Sequence, residues 1–434
     1  MSVNKSTLSN ISREDSIEQI NQTPGPKQHH NSNTINTNMG AYLDTPVTEK
    51  HTTSGQGHDS HYAVSSMQGW RRNMEDDHIT IPEISTNKQN QNISLYAVFD
   101  GHGGAEVAKF ANKYYPQLLI NCDAFKTNDY KQALIHAFQK IDDMLETPYY
   151  QLELKVLLGQ ASESDLVDLL NRRPDSNTIH SRATHSPIGN LSRDITNREN
   201  NGSAGQDAAS KAQQDKMNQM MLMKRQAQGG RVAAGGGALG DSRVCELNDH
   251  PVHAGCTAVA VLQVGQQLYT ANCGDSRACI GRNGTAVPLS FDHKPVDEIE
   301  RNRIVNAGGF ITEAQGHFRI NGNLNLSRSL GDLKYKQNSK CSPAEQMITA
   351  TPDITVHDID PLDDFMIIAC DGVWDVLSNE DAITFVHERL KAGHTVSKIC
   401  EAIFDRCIAA NPRETRGIGG DNMTCLIVQY KEVK

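Results

Sequence analysis

Leu95-Tyr96-Ala97-Val98-Phe99-Asp100-Gly101 and Phe365-Met366-Ile367-Ile368-Ala369-Cys370-Asp371-Gly372 are two apolar runs, far apart in the chain, that end in a carboxylate followed by a glycine. Each reads as a buried strand that brings an acid and a glycine turn to the rim of a sheet, where hard oxygen ligands for a cation belong. A third acid, Asp421, stands directly ahead of the apolar run Met423 to Tyr430. A fourth group, Glu75-Asp76-Asp77, precedes Ile79-Thr80-Ile81. Any one of these is ordinarily a turn residue or a solvated surface acid. Their repetition at strand ends changes the reading, because carboxylates gathered at one rim repel each other unless cations neutralise them.

The rest of the composition limits the alternatives. The 434 residues suffice for one large core, and a net charge of −10 argues against a binder of nucleic-acid backbones. Ten cysteines are scattered without paired spacing, several inside apolar runs, as expected of reduced thiols in the cytoplasm or nucleus. No apolar stretch approaches the roughly 18 residues of a membrane span, and the first residues lack the apolar block of a signal peptide. Met39-Gly40 is a poor start for myristoylation, since Asp44 occupies the position where Ser or Thr is wanted, so no membrane anchor is expected. Arg172-Arg173 and Lys224-Arg225 are too short to argue nuclear import.

Along the chain, residues 1–60 are rich in Asn, Ser, Thr, Gln and His and are expected to be a disordered extension. A folded domain is expected over 61–146 and 251–434, interrupted by a low-complexity, disordered insertion at 147–250. Within that insertion, Leu152 to Leu170 carries enough Leu and Val for one or two short helices. Helical periodicity places Val107, Phe110, Ala111, Tyr114 and Leu118 on one face, and Leu134, Phe138, Ile141 and Leu145 on the next. Near the end, Ser378 with Asp381 opens a helix burying Ile383, Val386 and Leu390, followed by one burying Val396, Ile399, Ile403, Phe404 and Cys407. Strands between helix pairs predict an α+β layered domain.

Eight short motifs then occur in order. They are Gly69 to Asp76, Phe99 to Gly104, Gly255 to Ala258, Asn272 to Arg277, Asp292 to Pro295, Leu326 to Asp332, Cys370 to Asp375 and Asp421 to Thr424. Together they resemble the metal-dependent serine/threonine phosphatases of the protein phosphatase 2C family, over the chain from about residue 60 onward with the insertion excluded. Met39 to Leu43, the long insertion and Glu345 to Ile348 are similar to the animal gamma branch, although there the insertion is strongly acidic and here acids and bases balance.

The resemblance implies a four-layer αββα fold, a central antiparallel β-sandwich flanked by helix pairs. It also implies two Mg2+ or Mn2+ ions per subunit, with Asp100 bridging, the Gly101 carbonyl on one ion, Asp371 and Asp421 on the other, and Glu75 and Asp76 nearby. All-oxygen ligands favour such hard ions. Phosphoprotein substrates would be hydrolysed by a water activated between the ions, with no phosphoenzyme, so Cys370 is read as structural. His102, two residues past Asp100, is the candidate general acid, and Arg71 the phosphate clamp. Arg328 either contacts substrate or stabilises the loop around the site. Asp275 and Asp375 resemble ligands of a third, weaker metal site, or are a hairpin-turn residue and a helix-side acid. Two other readings are open: a catalytically weak relative that binds phosphoproteins as a regulator, and a two-metal phosphodiesterase. A monomer is expected.

Overall fold

The computed structural model describes residues 42–84, 92–171, 250–314, 316–430 and 433. Residues 1–41 and 172–249, on which most of the expected disorder falls, lie outside them. Four strands come first, β1 (Tyr42–Gln56), β2 (His61–Arg71), β3 (Asp77–Ile81) and β4 (Ile93–His102). Helices α1 (Glu106–Asn121), α2 (Asp123–Lys126), α3 (Tyr130–Leu145), α4 (Pro148–Leu157) and α5 (Glu163–Asn171) follow. The chain resumes with β5 (Gly255–Val264), β6 (Gln267–Cys273), β7 (Arg277–Arg282), β8 (Thr285–Pro288), α6 (Glu298–Asn306), β9 (Ile311–Ala314), β10 (His317–Ile320) and β11 (Leu330–Gly331). It closes with β12 (Asp353–Asp358), β13 (Asp363–Ala369), α7 (Asp371–Trp374), α8 (Asn379–Lys391), α9 (Val396–Cys407) and β14 (Met423–Gln429).

Two antiparallel sheets result. One has the order β1-β2-β14-β13-β7-β8, the other β12-β6-β5-β4-β3 with β11 against β5. The period-two alternation of the opening quotation explains how they stack. On β4, Tyr96 and Val98 point inward to meet Met366 and Ile368 of β13 and Val64, Val259, Val261, Ile280, Leu426 and Val428 between the sheets. The intervening Leu95, Ala97 and Phe99 face the other way, onto α1, α3 and α4. Phe365, Ile367 and Ala369 likewise face α7, α8 and α9. Stretches buried on both faces must be apolar, and Leu95 to Phe99 and Phe365 to Ala369 are, while buried Asp363 at the start of β13 is paired with Arg282. The four-layer αββα architecture is therefore as the motifs implied.

Two boundaries differ from those expected. Residues 42–56, within the supposed disordered extension, form the long edge strand β1, paired from Tyr42↔Arg71 to Gln56↔His61. An edge strand is held by main-chain bonds and needs little apolar surface, so its composition concealed it. Its side chains add ties to α9: Lys50 to Asp405 at 2.5 Å and Thr52 to Glu401 at 3.0 Å. At the other boundary, α4 is part of the domain and not of a low-complexity insertion. Tyr150 and Leu154 are buried in the α1/α3 layer, and buried Glu153 accepts from Lys113 Nζ and the Tyr114 hydroxyl.

Phe138 is fully buried and meets the Tyr115 ring edge-on at 5.3 Å. Phe138→Ala is expected to destabilise the fold by about 3–5 kcal/mol, read as a lower urea midpoint. A midpoint equal to wild type would show that this layer does not bear on stability.

Candidate metal centre

The acids converge because strands of both sheets end at the same edge of the sandwich. On β4, Asp100, Gly101 and His102 are still paired, opposite Thr257, Cys256 and Gly255. On the other sheet, Ala369 of β13 pairs with Cys425 of β14, and the Cys370 amide donates to the Thr424 carbonyl at 3.2 Å. Asp371 then opens α7, while Asp421 lies just before β14. Neither glycine is the turn expected of an Asp-Gly pair. Gly101 stays in the ladder, and a Cβ there would collide with the Glu75 carbonyl; at Gly372 it would collide with the Asn422 carbonyl. The glycines permit backbones to close on the acids.

Asn422 holds the parts together. Its Nδ2 donates to the carbonyls of Gln68 (2.7 Å) and Asn73 (3.0 Å), and its Oδ1 accepts from the Glu75 amide (2.9 Å). The Thr424 hydroxyl donates to Asp76 Oδ2 at 2.7 Å. Ligand atoms of Asp76, Asp100 and Cys370 lie within 4.8 Å of one another. Glu75 accepts from the Gly104 amide at 3.2 Å, and Arg71 Nη2 reaches Asp421 Oδ2 at 2.5 Å.

Burial, then the charges of Asp371, Asp76, Asp421 and Asp275, hold Asp100 well above the usual carboxylate range. Burial and the charges of Asp421, Asp275 and Asp375 do the same to Asp371. Burial pushes Asp76 up to about 7 against its bond from Thr424. The Cys370 thiol is raised by burial and the adjacent acids, and stays protonated. The second carboxylate oxygen of Asp76 is buried with no hydrogen-bond partner. A cluster of oxygen donors with mutual repulsion and an orphaned acceptor fits hard divalent cations.

His102 has a partner that the motifs contained but did not assign. Its Nε2 lies 2.7 Å from Asp332 Oδ2, which also accepts from the Ser329 hydroxyl at 2.6 Å. Asp332 is buried in a left-handed conformation (φ 49°) and donates its amide to the Ala254 carbonyl. Gly255 is required opposite the pair, since a Cβ would strike both side chains. Burial works against charge on both groups, but their pairing outweighs it, holding His102 above and Asp332 below their ordinary values.

Arg328 is not available to substrate. It is buried, with bonds from Nε and Nη2 to Glu300 (3.0 and 2.6 Å) and from Nη1 to Asp353 (2.6 Å) and the Thr351 carbonyl (3.1 Å). Its bonds tie α6 to β12, an arrangement that fits the stabilising alternative better than a substrate contact. Asp275 is buried and pairs with Lys294; Asp375 follows α7, raised by burial and by neighbouring acids.

The fold and this acid centre together define a metal-dependent phosphatase. The chain belongs to the protein phosphatase 2C family, whose pattern it matches over residues 60–157 and 180–415. It is 35% identical over 395 residues to Probable protein phosphatase 2C 21 of Arabidopsis thaliana, covering 91% of this chain and 93% of the relative. It is 34% identical to Protein phosphatase 2C homolog 2 of Schizosaccharomyces pombe, covering 90% and 79% of the two chains. A crystal structure of serine-threonine phosphatase 2C from Toxoplasma gondii shares the fold, with a TM-score of 0.51 at 17% identity over 88% of this chain and 99% of that one.

Asp76, Asp100 and Asp371 hold protons more tightly folded than unfolded, so the ion-free protein loses stability as pH rises from about 4 through about 7. In EDTA the melting temperature is expected to be lower at about pH 8 than at about pH 6, and Mn2+ is expected to restore it at the higher pH. A rise in EDTA between those two values would contradict the repulsion.

Proposed function

We propose that the chain hydrolyses phosphoserine and phosphothreonine in protein substrates, using two Mg2+ or Mn2+ ions held by Asp100, the Gly101 carbonyl, Asp371 and Asp421, with Glu75 and Asp76 completing the centre. One observation carries this reading. Asp76, Asp100 and Asp371 arrive from separate stretches as one mutually repelling group with an unpartnered oxygen, and Asp421, held by Arg71, stands beside them. When bound, such a pair of ions acidifies water and offsets the charge of the phosphate.

The chain's own side chains do the remainder. Arg71 is half exposed (48%) and anchored on Asp421, so its planar fork stands at the edge of the centre where phosphate oxygens can be gripped. As the bond from phosphorus to the serine or threonine oxygen breaks, that oxygen takes up a proton. His102 supplies it. With Nε2 committed to Asp332, Nδ1 is the donating atom, and the buried carboxylate favours the imidazolium form required.

A phosphodiesterase would share the acid centre but needs a basic groove for a polyanion, which a net charge of −10 disfavours. A binding-only regulator would use Arg71 to hold phosphate but has no use for a proton donor at His102 beside a full set of metal-type acids. Within the family we place the chain nearest the animal gamma branch, on the residues from Met39 to Leu43, the insertion and Glu345 to Ile348. A place in the cytoplasm or nucleus suits its free thiols, and we take the chain to act as a monomer.

Phosphate release from phosphoserine peptides is expected to require Mn2+ or Mg2+ and to resist okadaic-acid-type inhibitors; equal release in EDTA rejects the mechanism. His102→Ala is expected to slow alkyl phosphates, whose leaving groups are poor, by about 100-fold more than aryl phosphates. Asp332→Asn is expected to show the same leaving-group dependence in weaker form. Uniform losses across both substrate types would remove the general acid.

A further inference from the structure

One cation already sits among the outer acids. Lys294 Nζ donates to Asp275 Oδ2 at 2.6 Å and lies 3.9 Å from Asp292 Oδ2. Asp275 is only 2% exposed, whereas the Lys294 side chain is 38% exposed, so the ammonium caps the acid from the solvent side. Backbone register fixes this placement. The His293 amide donates to the Gly274 carbonyl at 3.0 Å, the Gly274 amide donates to His293 Nδ1 at 3.2 Å, and His293 Nε2 lies 3.1 Å from Asp353. With His293 pinned against Gly274 and Asp353, the adjoining Lys294 is held within side-chain reach of Asp275.

The nearby Asp292 is taken by Arg277, through Nε and Nη2 at 2.9 Å each, which leaves Asp275 as the principal partner of Lys294. A divalent ion that takes Asp275 as a ligand meets a carboxylate oxygen already holding a charge-assisted hydrogen bond.

Resting on the metal-centre reading above, we propose that Lys294 is a tethered competitor for a third divalent ion. Its ammonium neutralises Asp275 while the ion is away and has to leave Asp275 before the ion enters. A side chain tethered beside its partner is present at high effective concentration, so the outer ion binds weakly even though its ligands are acids. Among the described residues no lysine pairs with Asp100, at the inner centre.

The test is a Mn2+ titration of the full chain, with free ion read by electron paramagnetic resonance. Wild type is expected to show a tight class of sites and a weaker one. In Lys294→Met the weaker class is expected to tighten by about tenfold or more, since no charge-assisted bond has to break. Lys294→Gln, should Met disturb folding, is expected to act in the same direction, and Lys294→Arg to retain the wild-type weakness. Asp275→Asn is expected to remove the weaker class in either background. An unchanged weaker class in both Lys294→Met and Lys294→Gln, with the tight class present, overturns the competitor and leaves the metal centre standing. No tight Mn2+ binding in wild type overturns the reading beneath it.

Discussion

Mutual repulsion among carboxylates buried at one edge of the sandwich is the constraint that the surrounding structure answers. Taking several acids out of water beside each other is costly, and each of Asp76, Asp100 and Asp371 shows the cost as a strengthened hold on its proton. The fold accepts it by making the neighbourhood rigid. The Asn422 side chain spends its three hydrogen bonds on main-chain groups of Gln68 in β2 and of Asn73 and Glu75 between β2 and β3. Glycines at 101 and 372 let carbonyls approach where any side chain would push the strands apart. Fixed positive groups, Arg71 on Asp421 and Lys294 on Asp275, stand at the margins and leave the middle for a cation.

Much of this was legible in the sequence because it is local. Alternation along Leu95 to Phe99 and Phe365 to Cys370 determines which side chains face the opposite sheet and which face helices, and the helix faces follow the 3.6-residue period. The converging acids were legible for the same reason: each sits at the end of a run whose burial is written in its composition. What escaped was of another kind. β1 has too few apolar residues to announce itself, since its partners are main-chain groups of β2. α4 lay in a stretch of ambiguous composition, and only packing on α1 assigns Tyr150 and Leu154 to the core.

Side-chain partnerships over long separations were likewise hidden. Asp332 meets His102 across 230 positions, and Arg328 is consumed by Glu300 and Asp353 from α6 and β12. Both stood inside a recognised motif, which marks that a residue matters without saying whether it touches a substrate or another side chain. The buried surroundings of Arg328 decide that question, and burial of one residue by distant elements is not a local property of the chain.

The two sheets contribute unequally to the centre. Asp100 is carried by β4, the strand beside β5, whereas Asp371 opens the helix that follows β13 and Asp421 lies just ahead of β14, both strands of the opposite sheet. Cations held among them, as proposed above, would clasp the two sheets together at that end. Removing those cations would then slacken the seam, so that cohesion of the sandwich and turnover would depend on the same few oxygens.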